Sequence, residues 1–360
     1  MAEPLKNLFS KEFVNSLANH IKQHHKNFNT NAFINDVFDT IWSNKELKQR
    51  MRHITECINK HIKIPYQKQV EILTEVATQF KGFTAMIFPD FIEVYGLDNL
   101  TTSIKALELF TQYSSSEFAV RPFIIKYPKE MLKQHIKWAQ HKNYHVRRLA
   151  SEGIRPRLPW ALGLTSFKKD PTPILPVLEL LKNDESEYVR KSVANCLNDI
   201  SKDHPNLALK IVNNWKGKTK ETDWIVKHAS RGLLKQGNIG ALKTFGLNNQ
   251  VNAKVTQLKL SKNILKIGDE FSFETSIQLL DKIAHQIRVE YNIYFMKSNG
   301  KQSPKIFQIG TYFIKPKQEI IIKRKHKFAD LTTRKHYMGE HVLAIVINGK
   351  EMAKHFFTIQ

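Results

Sequence analysis

NYHVRRLASEGIR (143–155), SEYVRKSVANCLND (186–199) and DWIVKHASRGLLKQG (223–237) share one signature: a valine followed by a basic residue at the head of an amphipathic helix. The matched valines Val146, Val189 and Val226 recur roughly every 40 residues, the period of stacked helical repeats. One helix pair of this kind leaves an apolar face uncovered, so neighbours must pile into a solenoid with a long concave surface. Further upstream, Phe33, Val37 and Ile41 beside Ile34 and Phe38 keep the same helical spacing, and Pro and Gly fall mainly between such runs.

The spacing is that of the HEAT/armadillo class of α-helical repeats, and it predicts a helical domain over residues 1–248. Near Gly246–Ala253 the period changes to two. Ile287, Val289, Tyr291, Ile293 and Phe295 alternate with Arg288, Glu290, Asn292 and Tyr294, so one side of that strand faces a core. Seven strands are expected, at approximately 255–260, 271–279, 286–297, 305–314, 318–328, 340–348 and 353–359, with turns at Gly268-Asp269, Ser298-Asn299-Gly300 and Asn348-Gly349. The fold class is therefore α then β, a HEAT-like α-solenoid followed by an immunoglobulin-like β-sandwich over 254–360, without the cysteine pair of antibody-type domains.

The net charge of +23 over 360 residues exceeds what solubility requires, and self-repulsion of that size disfavours a compact chain unless a polyanion screens it. Residues 251–360 carry 19 Lys/Arg against 9 Asp/Glu, a net of +10, which makes the smaller domain the more densely charged. Lys323, Arg324, Lys325 and Lys327 form its strongest cluster, followed by Arg334-Lys335-His336; phosphate contact and a strand edge kept soluble by lysine are both open readings. No apolar run is long enough to span a membrane and the amino terminus MAEPLKNLFSKEF is polar, so a soluble, cytoplasmic protein is expected, with monomer as the default state for a solenoid that encircles its ligand. Cys57 and Cys196 read as reduced, buried thiols.

Chemistry is sought in the helical half. Arg148 and Glu152 stand four residues apart and share a helix face. Arg155-Pro-Arg-Leu-Pro-Trp160 then stiffens the connection with two prolines and presents Trp160 at its end. The next repeat carries Arg190 and ends its signature at Asp199, while Ser114-Ser-Ser-Glu117-Phe-Ala-Val-Arg121 reads as a helix start bearing another carboxylate. Stacking aligns equivalent helices, which would set Glu117, Glu152 and Asp199 along one wall. Carboxylates repel phosphate, so several of them on a basic concave face point to positive charge that develops there during a reaction. Each also has a plain structural reading. Ser114-x-x-Glu117 has capping-box spacing; Arg147, Arg190 and Lys227 sit where repeat helices carry a structural base; Arg148–Glu152 fits an exposed ion pair; Trp160 fits inter-repeat packing.

The segments SSSEFAVRPFI (114–124), HVRRLASEGIRPRLPWA (145–161) and YVRKSVANCLNDISKDHP (188–205), with LKNLFSKEFVNSLA (5–18) and ELKQRMRHI (46–54), resemble the AlkC branch of the HEAT-like alkylpurine DNA glycosylases. The resemblance covers nearly the whole chain and includes the carboxy-terminal sandwich found in part of that branch. It implies monofunctional excision of cationic N3-methylated bases, chiefly 3-methyladenine and in addition 3-methylcytosine, from duplex DNA without extruding the lesion into a deep pocket. By the same resemblance Glu117, Glu152 and Asp199 are the catalytic carboxylates, Arg148 the active-site arginine and Trp160 the aromatic contact. Arg190, Arg121, Lys323, Arg324 and Lys325 are expected to hold DNA. No cofactor and no metal is implied.

Other chemistries lack support. The chain has no phosphate-binding Gly-rich loop, no HExxH and no serine nucleophile elbow. His20, His24 and His25 lie on a polar helix and do not form a metal motif. Two further readings are a non-catalytic repeat scaffold whose basic groove holds nucleic acid or an acidic protein, and a sandwich that binds carbohydrate or protein with the helices as spacer. The first does not explain why acidic residues gather on the repeats that carry Trp160, and for the second the sandwich shows no obvious aromatic platform.

Overall fold

The computed structural model describes residues 3–330 and 335–360. Among these, sixteen α-helices precede residue 245 and strands follow from Ala253. The repeat signature is realised as packed helices. Helix Glu187–Asp203 lies against both Tyr144–Glu152 and Lys220–Ala229, and Val146, Val189 and Val226 are all buried. Each valine sits on the apolar stripe at the seam between neighbours, where removing it from water contributes about 1.5–3 kcal/mol. Cys57 and Cys196 are free and buried, and burial pushes the Cys57 thiol up to about 12.

Three expected helices come out differently. The helix through Phe33 ends at Val37, and Ile41 is exposed. The stretch 223–237 is two helices, Lys220–Ala229 and Arg231–Lys235, broken at Ser230. Residues 114–121 do not open with a helix: the helical segment is Val120–Lys126, and Glu117 lies in the turn before it. The capping-box reading of Ser114 and Glu117 therefore fails, because Glu117 is not in the first turn of a helix. No helix among the described residues is long and apolar enough to cross a membrane.

By packing, the chain divides into one compact unit of residues 1–204 and 215–229 and a second of residues 205–214 and 230–360. The second unit thus takes in helical segments that the sequence places in a domain ending at 248. Their small core is Leu233, Leu234, Ala241, Leu242 and Leu247, with Leu209 and Phe245 packed on it. At the Asn348-Gly349 turn both residues have positive φ (47° and 80°), as a two-residue hairpin of right-handed twist requires. A Cβ on Gly349 would fall 2.2 Å from the Cα of Gly237, and Asn348 Nδ2 donates to the Asn248 carbonyl at 2.6 Å.

The strands are β1 (Ala253–Leu260), β2 (Ile264–Leu265), β3 (Glu270–Leu279), β4 (His285–Met296), β5 (Gln302–Ile314), β6 (Glu319–Lys327), β7 (Gly339–Ile347) and β8 (Lys350–Ile359). The seven expected strands are present and the short β2 is added. They form a three-stranded sheet, β1-β3-β6, and a five-stranded sheet, β2-β8-β7-β4-β5. Ile287, Val289, Tyr291, Ile293 and Phe295 point into the shared core with Phe271, Phe273, Leu343 and Phe357. The other face of β4 is not solvated as its polar alternation suggests. Arg288, Glu290 and Asn292 are buried there too, Arg288 Nη2 donating to Glu290 at 2.6 Å and Asn292 Nδ2 to Glu351 at 2.8 Å.

On edge strand β6 the basic cluster splits by alternation. Lys323 pairs with Glu274 of β3 at 2.8 Å and Lys325 with Glu270 at 3.2 Å, while Arg324, one residue out of phase, donates to the Lys323 and Ile309 carbonyls. Arg334 lies outside the described residues.

Candidate active site on the helical repeats

Helix Tyr144–Glu152 starts at Asn143, whose side-chain oxygen accepts from His145 N at 2.8 Å. Successive residues on a helix diverge by about 100°, so the adjacent arginines serve different neighbours. Arg147 forks onto Asp184, Nε–Oδ2 2.6 Å and Nη2–Oδ1 3.0 Å, and is scaffold. Arg148 turns the other way and donates to Glu117 and to Ser115 Oγ at 2.9 Å, with its guanidinium 4.9 Å over the Tyr188 ring.

From Arg148 the charges alternate in a ladder. Arg148 Nη2 reaches Glu152 Oε1 at 3.5 Å; the same oxygen accepts from Arg155 Nη1 at 2.6 Å, and Arg155 Nε reaches Asp199 Oδ2 at 2.9 Å. Lys202 Nζ closes the far end on Asp199 Oδ1 at 3.0 Å. The ladder thus joins Glu117, Glu152 and Asp199, which come from one turn and two helices. Their side chains keep only 13%, 6% and 2% exposure, so Arg148–Glu152 is no exposed surface pair. Burial alone would lower the Arg148 guanidinium, yet Glu117 and Glu152 raise it above its ordinary value. Ser151 Oγ bonds Ser192 Oγ at 2.7 Å between the two helices, tying them together behind the ladder.

Trp160 has a left-handed φ of 66° and is 69% exposed, so it is not inter-repeat packing. A bulky residue in that region costs on the order of 1–3 kcal/mol and persists where surroundings impose it. Two contacts do so. Lys48 donates to the Trp160 carbonyl and lies 4.9 Å over the Phe118 ring. Arg121 supports the same connection from beneath, donating to the Leu162 carbonyl and, at 2.9 Å, to that of Gly153. A cavity of about 450 Å³ opens beside them, lined among others by Lys48, Arg52, Glu93, Phe118 and Trp160.

Two cations expected to face DNA are placed elsewhere. Arg121 is fully buried, and burial, reinforced by Arg155, lowers its guanidinium to about 10. Arg190 Nη1 caps the Asp184 and Glu185 carbonyls at 2.7 and 2.8 Å, away from the ladder. Sequence reading passed over Arg155, Lys202, Ser115 and Lys48. Arg155 follows the end of its helix, where helical spacing gives no direction; the signal was its place in Arg-Pro-Arg, two like charges on a stiff connection.

The fold defines a class, α-helical repeats carrying a ladder of shared carboxylates and followed by an immunoglobulin-like sandwich. The family pattern described as "DNA alkylation repair enzyme" matches residues 111–233, and that of the carboxy-terminal Ig-like domain of uncharacterised protein YhaZ matches residues 254–360. The chain is 44% identical over 346 residues to the uncharacterized protein YhaZ of Bacillus subtilis (strain 168), covering 96% of each. The solved structure of Pseudomonas fluorescens alkylpurine DNA glycosylase AlkC, bound to DNA containing an abasic site analogue, is 32% identical with a TM-score of 0.94, over 99% of this chain and 100% of that one. The chain belongs to the AlkC branch of the HEAT-like alkylpurine DNA glycosylases, a family of DNA alkylation repair enzymes.

Proposed function

We propose that this chain hydrolyses the N-glycosidic bond of cationic alkylated bases in duplex DNA, 3-methyladenine first and 3-methylcytosine in addition, acting as a monofunctional monomer in the cytoplasm. The observation that carries the reading is the ladder that gathers Glu117, Glu152 and Asp199, on the repeats whose connecting segment presents the exposed Trp160. Alkylation at N3 puts a positive charge on the base before any bond breaks. The base leaves with the glycosidic electron pair and becomes neutral, so no general acid is required. The positive charge passes to the sugar, where an oxocarbenium-like centre develops, and a water adds there and gives up a proton.

Fixed carboxylates suit that charge movement because they are oriented before the reaction and need no reorganisation during it. One of the three also serves as base for the water. Trp160 is proposed to lie against the lesion-bearing strand, where contact with a cationic base gains about 1–2 kcal/mol. Since the acids act on the sugar, the reading requires no deep pocket for an extruded base. The surplus of positive charge would hold phosphates of any sequence, with affinity that falls steeply with salt.

The test is incubation of the purified chain with methylated duplex DNA and chromatographic identification of what is freed. Release of 3-methyladenine with accumulation of intact abasic strands is expected. Tight DNA binding with no free base would leave a non-catalytic scaffold.

A further inference from the structure

Arg155 stands in the middle of the ladder, between two of its acids. The residue lies just beyond helix Tyr144–Glu152 and directs two of its three guanidinium nitrogens to different acids, Nη1 to Glu152 at 2.6 Å and Nε to Asp199 at 2.9 Å, the second acid belonging to the neighbouring helix Glu187–Asp203. It is 7% exposed. Its segment has little freedom to swing. Pro156 fixes the next φ, and Arg157 grips Asp203, one turn beyond Asp199, through Nε–Oδ2 at 3.0 Å and Nη2–Oδ1 at 2.6 Å. Two arginines flanking one proline thus clamp successive turns of the same helix.

From this geometry we infer that Arg155 is a positioning residue for base excision, setting the separation and orientation of Glu152 and Asp199 without touching the substrate. The inference rests on the glycosylase reading above. A guanidinium is a rigid planar fork that can present donors to two carboxylates at a fixed angle, whereas an ammonium is a point charge. Bringing two carboxylates from adjacent helices together without a shared cation sets like charges against each other. The further charges around the pair are Arg148 on Glu152 and Lys202 on Asp199, with Arg121 and the Cys196 thiol behind. Arg155 does not itself meet the sugar, since a cation there would oppose the charge that forms. Its bonds leave Glu152 Oε2 without a hydrogen bond among the described residues, available to the developing cation.

Arg155→Ala, Arg155→Lys and, as control, Arg157→Ala are to be compared in the full chain by single-turnover release from methylated duplex at saturating protein, by affinity for abasic duplex, and by thermal melting. Arg155→Ala is expected to slow release by about 30-fold or more while DNA affinity stays within roughly threefold, because geometry rather than phosphate contact is lost. Guanidinium chloride at tens of millimolar, against equal sodium chloride, is expected to restore several-fold of that loss by refilling the fork, and to do nothing for wild type or Arg157→Ala. Arg155→Lys is expected to fall between, and it carries the test alone if Arg155→Ala does not fold. Release within twofold of wild type in the folded variant overturns the inference. So does a loss matched by Arg157→Ala and indifferent to guanidinium, which would make Arg155 scaffold. Absence of release from wild type would instead sink the glycosylase reading itself.

Discussion

Asp199 on the helical repeats and Lys325 on strand β6 are both ion-paired, yet the first keeps 2% of its side chain exposed and the second 73%. The repeats hold charge by sharing it: each carboxylate of the ladder meets at least one guanidinium, and removing one partner of a buried pair typically costs about 3–5 kcal/mol. The β6 lysines lean on single glutamates across the strand, an arrangement worth about 0–1 kcal/mol and weakened by salt. Charge is shared and withdrawn from water in one region and left in solvent in the other.

The contrast fails most visibly if the acids prove dispensable. Glu152→Ala and Asp199→Ala are each expected to lower base release by roughly hundreds-fold, the equivalent of about 3–4 kcal/mol in the transition state. DNA affinity should be retained; loss of affinity in step with rate would show that the ladder only shapes the binding surface.

Acid titration sharpens the comparison through His135. It is completely buried under the repeat, Nδ1 bonding the Ala150 carbonyl at 2.8 Å, and burial lowers its pKa from 6.5 to about 4. The folded state holds the ring neutral and the unfolded chain protonates it more readily. This costs nothing above pH 6.5 and lowers stability as pH falls towards about 4, a span worth roughly 3 kcal/mol. Urea unfolding at pH 7, 5.5 and 4.5 should show the slope, and His135→Gln should flatten it even if it starts from lower stability.

The smallest effect belongs to the sandwich. Lys323→Gln and Lys325→Gln should each reduce the slope of log affinity against log salt by about 1 at most, with the single-turnover rate within twofold. An unchanged slope would assign β6 to edge protection alone.

Legibility followed periodicity. The valine register and the alternation in β4 report burial directly, so the packed repeats and the sandwich core were readable. Glu117, Glu152 and Asp199 were singled out through aligned repeats and family resemblance, and Trp160 through its prolines. Arg155 escaped because its partners lie on two helices and its own backbone on neither. Ser230 breaks an amphipathic run that has no proline to announce it, and the outer side of β4 hides a polar row that alternation alone would leave wet. Arg121 looked like a surface cation because sequence shows charge and not depth.

The backbone of Trp160 has an evolutionary corollary. A tryptophan standing 69% in solvent at φ 66° contributes little burial and adds conformational strain, so glycine would be the more comfortable tenant. Trp160→Gly should melt about 1–3 °C higher, the shift expected for roughly a kilocalorie in a chain of this size, and excise more slowly. A variant that melts higher and excises as fast as wild type would show that the indole serves no step of turnover, and one that gains stability while losing rate would show stability traded for function.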